Sequence, residues 1–338
     1  AVMARAFKIA NEPPHGPVFV ALPINVMEQE TMNGAWHAGT VHGASQAEAA
    51  GLHALAQALT SARQPAIVCG DEVAANKAVS ALVRLAEAAG AAVYHEGLRQ
   101  HLSFPNRHPN SMGALSFEAG GIRAALSPYD VILLIGGPFF EEIWFDPGSA
   151  IPDTAALLQL SATHDTMARN FPVAAGVVGA LAHAVETLAD EVVKGIDQDA
   201  AALRNATLAD NHRQRRAGMD AFIDEQGDAQ PMSTGRAMRE IAAGLPQQAL
   251  VVDESITALG DVAHAFDLRE AGDYYGPRGG GIGQGIAGAL GIKVANPQRP
   301  VLCVSGDGSA MYHIQALWTA ARLQLDIVFV ILNNNEYR

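Results

Sequence analysis

An α/β fold made of two doubly wound parallel-sheet domains, with the tail of a third, is what the 338-residue sequence predicts. Three observations carry that prediction. Short apolar runs recur without the polar alternation of a half-exposed sheet, helical stretches lie between them, and a polar segment separates one such series from a second. Strands that are apolar on both faces must be covered on both faces, and crossover helices do that in a parallel sheet.

The elements follow in order. Residues 1–40 read as a helix over Val2–Ala10, a turn at Pro13-Pro14-His15-Gly16 and a strand over Val18–Leu22 that stops at Pro23. That strand needs a sheet that the neighbouring sequence does not supply, so the chain is expected to be part of a longer protein, cut at both ends. The first alternation covers 41–195: helix Gln46–Ala62, strand Ala66–Cys69, helix Ala74–Ala89, strand Ala92–His95, strands Val131–Ile135 and Leu157–Ser161, and a helix from about Gly179 to Val193. Residues 196–229 concentrate Arg, Asp and Gln around a solvated helix near Ala200–Asp224 and read as a linker. The second alternation, 230–338, holds helix Thr234–Ala243, strand Ala249–Val252, a helix after Glu254, a glycine cluster, helix Gln284–Val294, strand Val301–Val304, helix Ala310–Leu323 and strand Ile327–Leu332.

Composition narrows the function. Hydrophobic residues make up 49% and charged residues 17%, enough to bury two cores. A formal charge of −13 with only 22 Lys and Arg argues against a nucleic-acid partner, because phosphate contacts need clustered cations. Cys69 and Cys303 sit in apolar strand-like runs, where a thiol behaves as a small hydrophobe, so no disulfide is expected. No apolar stretch reaches the length of a membrane span, and a cytoplasmic location is expected.

One junction carries chemistry. Strand Val301–Val304 runs into Ser305-Gly306-Asp307-Gly308-Ser309, with a helix expected from about Ala310. Glycines allow close backbone approach, and unpaired N–H groups at a helix start attract phosphate. An Asp in such a place would repel phosphate unless a cation stood between them, so Asp307 implies a hard divalent ion, most economically Mg2+, bridging to a diphosphate. Further oxygen donors are available where the next strand ends, at Asn333-Asn334-Asn335 and the carbonyl of Glu336. The 24 residues between Gly308 and Asn333 suffice for one helix and one return strand, which brings both loops to one sheet edge. A lone Gly-Asp-Gly is an ordinary turn; the pairing with the asparagine run at this spacing is what makes it a site.

The Gly306-Asp307-Gly308 segment followed at this distance by Asn333-Asn334 resembles the metal and diphosphate signature of the thiamine diphosphate enzymes. The resemblance, strongest to the benzoylformate decarboxylase family, extends over the whole chain: Pro13 to Pro23, Phe104 to Pro109, Asp130 to Pro138, Asp146-Pro147-Gly148 and Ala316 to Ala321 match in order. It implies that residues 1–40 are the tail of a pyrimidine-binding domain, 41–195 the central domain and 230–338 a truncated diphosphate-binding domain. It implies Asp307 and Asn334 as metal ligands together with the Glu336 carbonyl, and a diphosphate against Gly306, Gly308 and Ser309. Dimers or tetramers are implied for the parent protein, together with a small 2-oxo acid as substrate.

The cluster Tyr274 to Gly283 precedes the helix at Gln284. Gly283, Gly285 and Gly288 satisfy a dinucleotide-binding pattern, yet the residues before Gly279 do not make the buried strand that such a fingerprint requires. The resemblance assigns Gly280 and Gly281 to the cofactor's aminopyrimidine and Ile282 to a wedge beneath it; otherwise Ile282 is core. Glu254, Ser255 and Thr257 follow strand Ala249–Val252, where they either cap a helix or lie beside the diphosphate.

Departures from the family pattern bear on the substrate. Ile143 fills the place of an active-site His and cannot relay protons, and Ile256 stands where a hydroxyl is expected. His95 and His108 are further candidates without an assigned place. The family's catalytic Glu belongs to the domain that precedes this chain, so the catalytic residue is unknown and the fragment is expected to be inactive alone. The leading function is a thiamine diphosphate- and Mg2+-dependent decarboxylase or carboligase of a 2-oxo acid. The alternatives are an acetolactate synthase-like carboligase, whose central domain would often hold FAD, and a cofactor-binding fragment without catalysis. The loop Gly70 to Ala74 lacks a glycine-rich dinucleotide signature, which weighs against FAD.

Overall fold

The computed structural model describes residues 2–12, 16–30, 45–140 and 145–335. Its N-terminal stretch holds α1 (Val2–Ala10) and the single turn α2 (Ile24–Met27). The strand expected over Val18–Leu22 is not formed, and no described strand pairs with it. An extended segment becomes a strand only when a neighbour takes its backbone groups.

A six-stranded, wholly parallel sheet follows, in the order β3-β2-β1-β4-β5-β6. Its elements are α3 (Ala49–Ser61), β1 (Pro65–Cys69), α4 (Asp71–Ala75), α5 (Val79–Ala89), β2 (Ala92–His95), β3 (Ser111–Ala114), α6 (Ala119–Leu126), β4 (Val131–Ile135), β5 (Ala156–Ser161), β6 (Ala175–Val178) and α7 (Leu181–Gly195). Helices α3, α5 and α7 cover one face with Leu55, Leu59, Leu82, Leu85 and Leu188; Tyr94, Ile122 and Leu126 lie in the core on the other. The one helix expected over Ala74–Ala89 is two, because Lys77 takes a left-handed conformation (φ 58°) between α4 and α5.

Helix α8 (Gln198–Glu225) is 28 residues long and opens with Asp197, whose carboxylate accepts the N–H groups of Asp199 and Ala200. It lies docked along the molecule rather than alone in solvent. Arg204 donates to the Ala89 carbonyl at 2.8 Å and Asn205 to that of Glu87 at 2.8 Å, satisfying the end of α5. Further along, Arg216 donates to the His264 carbonyl, 3.2 Å away.

The remainder forms α9 (Thr234–Gly244), β7 (Leu250–Glu254), α10 (Leu259–Ala265), β8 (Tyr274–Tyr275), α11 (Gln284–Ala295), β9 (Val301–Gly306), α12 (Asp307–Tyr312), α13 (Ala316–Arg322) and β10 (Ile327–Leu332). These strands make a four-stranded parallel sheet, β10-β9-β7-β8. Its core holds Val251, Leu302 and Val304 on one face and Leu250, Val252, Ile286 and Cys303 on the other. The helix expected over Ala310–Leu323 starts earlier, at Asp307, and breaks after Tyr312. Both cysteines are free and buried.

Candidate functional site

The carboxyl edge of the second sheet brings two loops together. β9 and β10 are parallel and in register, with Gly306 opposite Leu332. Asp307 and Asn333 are the next residues on strands roughly 4.8 Å apart, so they leave the sheet side by side. Asp307 is half-buried, Asn333 to Asn335 are exposed, and Ser309 is buried behind them. Asn335 is left-handed (φ 55°), and its N–H is accepted by Asn333 Oδ1 at 2.9 Å. That turn fixes the asparagine run locally and leaves Asn334 at its centre. Glu336 lies outside the described residues.

The glycines at this edge leave space rather than fill it. A Cβ placed on Gly306 would meet only Ser309 Oγ, at 3.9 Å, and one on Gly280 or Gly281 would meet nothing within 4 Å. Gly279, Gly280 and Gly283 have φ of 80°, 68° and 98°, conformations that L side chains avoid. Gly280 and Gly281 are exposed and Ile282 is half-buried. A backbone without side chains, open on one face, is a cradle that a phosphate or a heteroaromatic ring can approach closely.

Glu254 is placed differently from its neighbours in sequence. Its side chain is fully buried, and Oε1 accepts the N–H of Gly283 at 2.7 Å and that of Gln284 at 2.9 Å. Glu254 therefore caps the start of α11 from an adjacent strand and fixes the far end of the glycine loop. Burial raises its pKa, opposed by these backbone hydrogen bonds.

Ser255 is buried and turned onto Asp253, to whose Oδ1 it donates through both N–H (3.0 Å) and Oγ (2.7 Å). Tyr274 Oη donates to the other carboxylate oxygen at 3.2 Å. Ile256 and Thr257 are exposed, and Ile256, a β-branched residue, is left-handed with φ 51°. Such a residue is an outlier that its surroundings must hold in place.

Behind this loop lies a cavity of about 470 Å³ between the two sheets' domains, lined among others by His95, Arg99, Arg215, His264, Ile256 and Thr257. Neither Gly280–Ile282 nor Asp307 lines it. Its arginines come from segments far apart in sequence, so no local pattern announced them. His95 is buried with Nδ1 3.6 Å from Cys69 Sγ, and His108 lies 3.2 Å from Glu87. Ile143 lies outside the described residues.

Known proteins resemble this chain along almost its whole length. Residues 52–188 match the central domain of the thiamine pyrophosphate enzymes, and residues 257–338 match their C-terminal TPP binding domain. Benzoylformate decarboxylase of Pseudomonas aeruginosa is 31% identical over 337 residues, which cover 99% of this chain and 61% of that protein. The acetolactate synthase isozyme 1 large subunit of Escherichia coli is 24% identical over 98% of this chain and 57% of its own length. Among solved structures, the thiamine diphosphate-dependent 4-hydroxybenzoylformate decarboxylase of Rhodococcus jostii RHA1 superposes with a TM-score of 0.78 at 27% identity, covering 99% of this chain and 61% of that one. The chain thus spans about three fifths of the length of the relatives it matches.

Proposed function

The chain belongs to the thiamine pyrophosphate enzyme family, and on that premise we propose that the edge shared by β9 and β10 holds thiamine diphosphate through Mg2+. The observation that carries this reading is the register of Gly306 with Leu332, which sets Asp307 beside the asparagine run. The donor set suits a hard cation: one carboxylate from Asp307, the Asn334 amide oxygen and the Glu336 carbonyl, all oxygens. Gly306, Gly308 and Ser309 offer backbone N–H groups to the diphosphate, and Gly280 and Gly281 leave the open face that the aminopyrimidine would occupy. The half-buried Ile282 would stand beneath that ring. Thr257 is exposed like Ile256 beside it, while the buried Glu254 and Ser255 support the site from behind.

In the bound state the cofactor supplies the electron sink for breaking the bond to a carboxyl group. The protein's share is to neutralise the diphosphate, hold the ring and exclude water. We assign the parent enzyme to the non-oxidative decarboxylation or carboligation of a 2-oxo acid, benzoylformate decarboxylase-like, with a cytoplasmic dimer or tetramer as its form. Ile256 in place of a hydroxyl points to a 2-oxo acid other than benzoylformate.

An acetolactate synthase-like carboligation is the second reading, favoured by similarity to the Escherichia coli enzyme over nearly the whole chain. The central sheet weighs against the flavin part of it. At the crevice between β1 and β4 a Cβ on Gly70 would stand 2.1 Å from the Gly136 carbonyl oxygen. Beside it, Glu72 already takes the Ala162 N–H at 3.0 Å and the Ser161 hydroxyl at 3.0 Å. A dinucleotide diphosphate would need those donors and that space. A third reading, cofactor binding without catalysis, is separated by assay. The full-length parent enzyme supplied with thiamine diphosphate, Mg2+ and single 2-oxo acids, aromatic and aliphatic, is expected to release CO2 and an aldehyde only when both additions are present. A branched hydroxy-oxo acid as product would favour carboligation, and saturable cofactor binding without any product would favour the third reading.

A further inference from the structure

The glycine loop is held at both ends by carboxylates, and only one of them comes from its own sheet. Glu254 fixes the end at Gly283 and Gln284. The other end begins at Arg278, whose Nη1 donates to Asp71 Oδ2 at 2.6 Å and to the Leu98 carbonyl at 2.9 Å, with Glu96 Oε2 3.9 Å away. Asp71 begins α4 of the central domain, 207 positions earlier in the chain. The guanidinium side chain is 19% exposed and the Asp71 side chain 13%, so water screens this ion pair far less than a surface pair.

The surroundings of the pair are built to match. Asp71 also accepts the N–H of Gln100 and of His101, each at 2.9 Å. The Gly276 N–H donates to the Gln100 carbonyl at 2.8 Å, and His101 pairs antiparallel with Tyr275. A side chain at Gly276 would place Cβ 2.5 Å from the Arg99 carbonyl oxygen, so only glycine allows this approach. Residues 98–101 and 275–278 thus form one seam between the two domains. Between that seam and Glu254, Gly279 to Gly281 have no neighbour within 4 Å of a would-be Cβ. Three consecutive glycines carry more conformational freedom than residues with side chains, and their position depends on what holds their ends.

We propose that Arg278 is a positioning residue: through Asp71 it latches the loop Gly279–Ile282 to the central domain and sets where that loop stands. The inference rests on the cofactor reading for its purpose, not for its existence. The central domain thereby takes part in forming the ring-accepting face without touching the cofactor.

Trypsin reads the latch directly, because the Arg278–Gly279 bond is a cleavage site only when the guanidinium is free to leave Asp71. In the cofactor-free chain that bond is expected to resist, and Asp71→Asn, which keeps an oxygen for Gln100 and His101 but drops the charge, is expected to be nicked there about tenfold faster. Its thermal midpoint should stay near that of the unmodified chain, which separates a local latch from general unfolding. In a parallel titration, Asp71→Asn and Arg278→Lys should each bind thiamine diphosphate with Mg2+ about tenfold more weakly. Equal cleavage rates at Arg278–Gly279 in the unmodified and Asp71→Asn chains would overturn the proposal. Failure of the unmodified chain to bind thiamine diphosphate at all would instead count against the cofactor reading, while the cleavage result still decides the latch.

Discussion

Gly285 packs so closely on Glu254 that a Cβ added to it would stand 2.7 Å from Glu254 Cβ and 2.8 Å from its Oε2. The second glycine of the dinucleotide-like pattern is therefore explained by the protein's own carboxylate. Gly285→Ala must push β7 and α11 apart or dislodge the cap, at a cost of about 1–3 kcal/mol. Urea unfolding of the variant should show that loss; an unchanged midpoint would mean that the helix and strand have room to give.

Gly281→Ala is expected to behave in the opposite way. Gly281 has φ −75°, which any residue adopts, and nothing lies within 4 Å of the new methyl group. Folding stability should stay the same or rise by up to about 1 kcal/mol, since alanine is less free than glycine when unfolded. If the open face accepts the cofactor ring, the same methyl group blocks it, and affinity for thiamine diphosphate should fall at least about tenfold, a cost near 1.4 kcal/mol. Calorimetric titration beside an unfolding curve separates the two effects.

Stability should fall as the solution is acidified through the histidine range. Burial, and then the charge of Arg99, hold His95 well below its ordinary value of 6.5, and burial lowers His101 and His212 as well. Below pH 6.5 the unfolded chain takes up protons that the folded chain refuses, so each such group removes up to about 1.4 kcal/mol per pH unit. Glu72, Asp253 and Glu254, raised by burial, oppose this, because the folded chain binds their protons first as pH falls. Comparison with His95→Gln isolates the histidine: its stability should change less steeply between about pH 6.5 and 5 than that of the unmodified chain. Parallel curves would show that His95 is protonated in the folded protein.

Much of the fold was legible because the central strands are apolar throughout. Residues 131–135 and 301–304 are short, apolar throughout and contain β-branched residues, which favours a buried strand. Two edge strands of the first sheet were not legible, because Ser111–Ala114 and Ala175–Val178 are short and rich in small residues, whereas the edge strand Ile327–Leu332 was read from its apolar run. The segment Val18–Leu22 has strand composition and no strand, because pairing is a property of the neighbour. At the site, the spacing of Asp307 and the asparagines could be read, as it follows from a helical crossover and one return strand, although the crossover breaks into two helices after Tyr312. The inward turn of Glu254 could not, since a polar residue after a strand looks the same whether it caps a helix or meets a ligand. The arginine-lined cavity and the Arg278–Asp71 pair join segments distant in sequence, and no local pattern encodes them.

Binding of thiamine diphosphate at fixed Mg2+, by the unmodified chain and by Asp307→Ala, tests the central claim most directly. The claim predicts saturable binding that disappears when Mg2+ is chelated and weakens at least about a hundredfold, near 2.7 kcal/mol, in the variant with its fold intact. Equal affinity in the two proteins, or affinity indifferent to chelation, would contradict a metal-bridged diphosphate at Asp307.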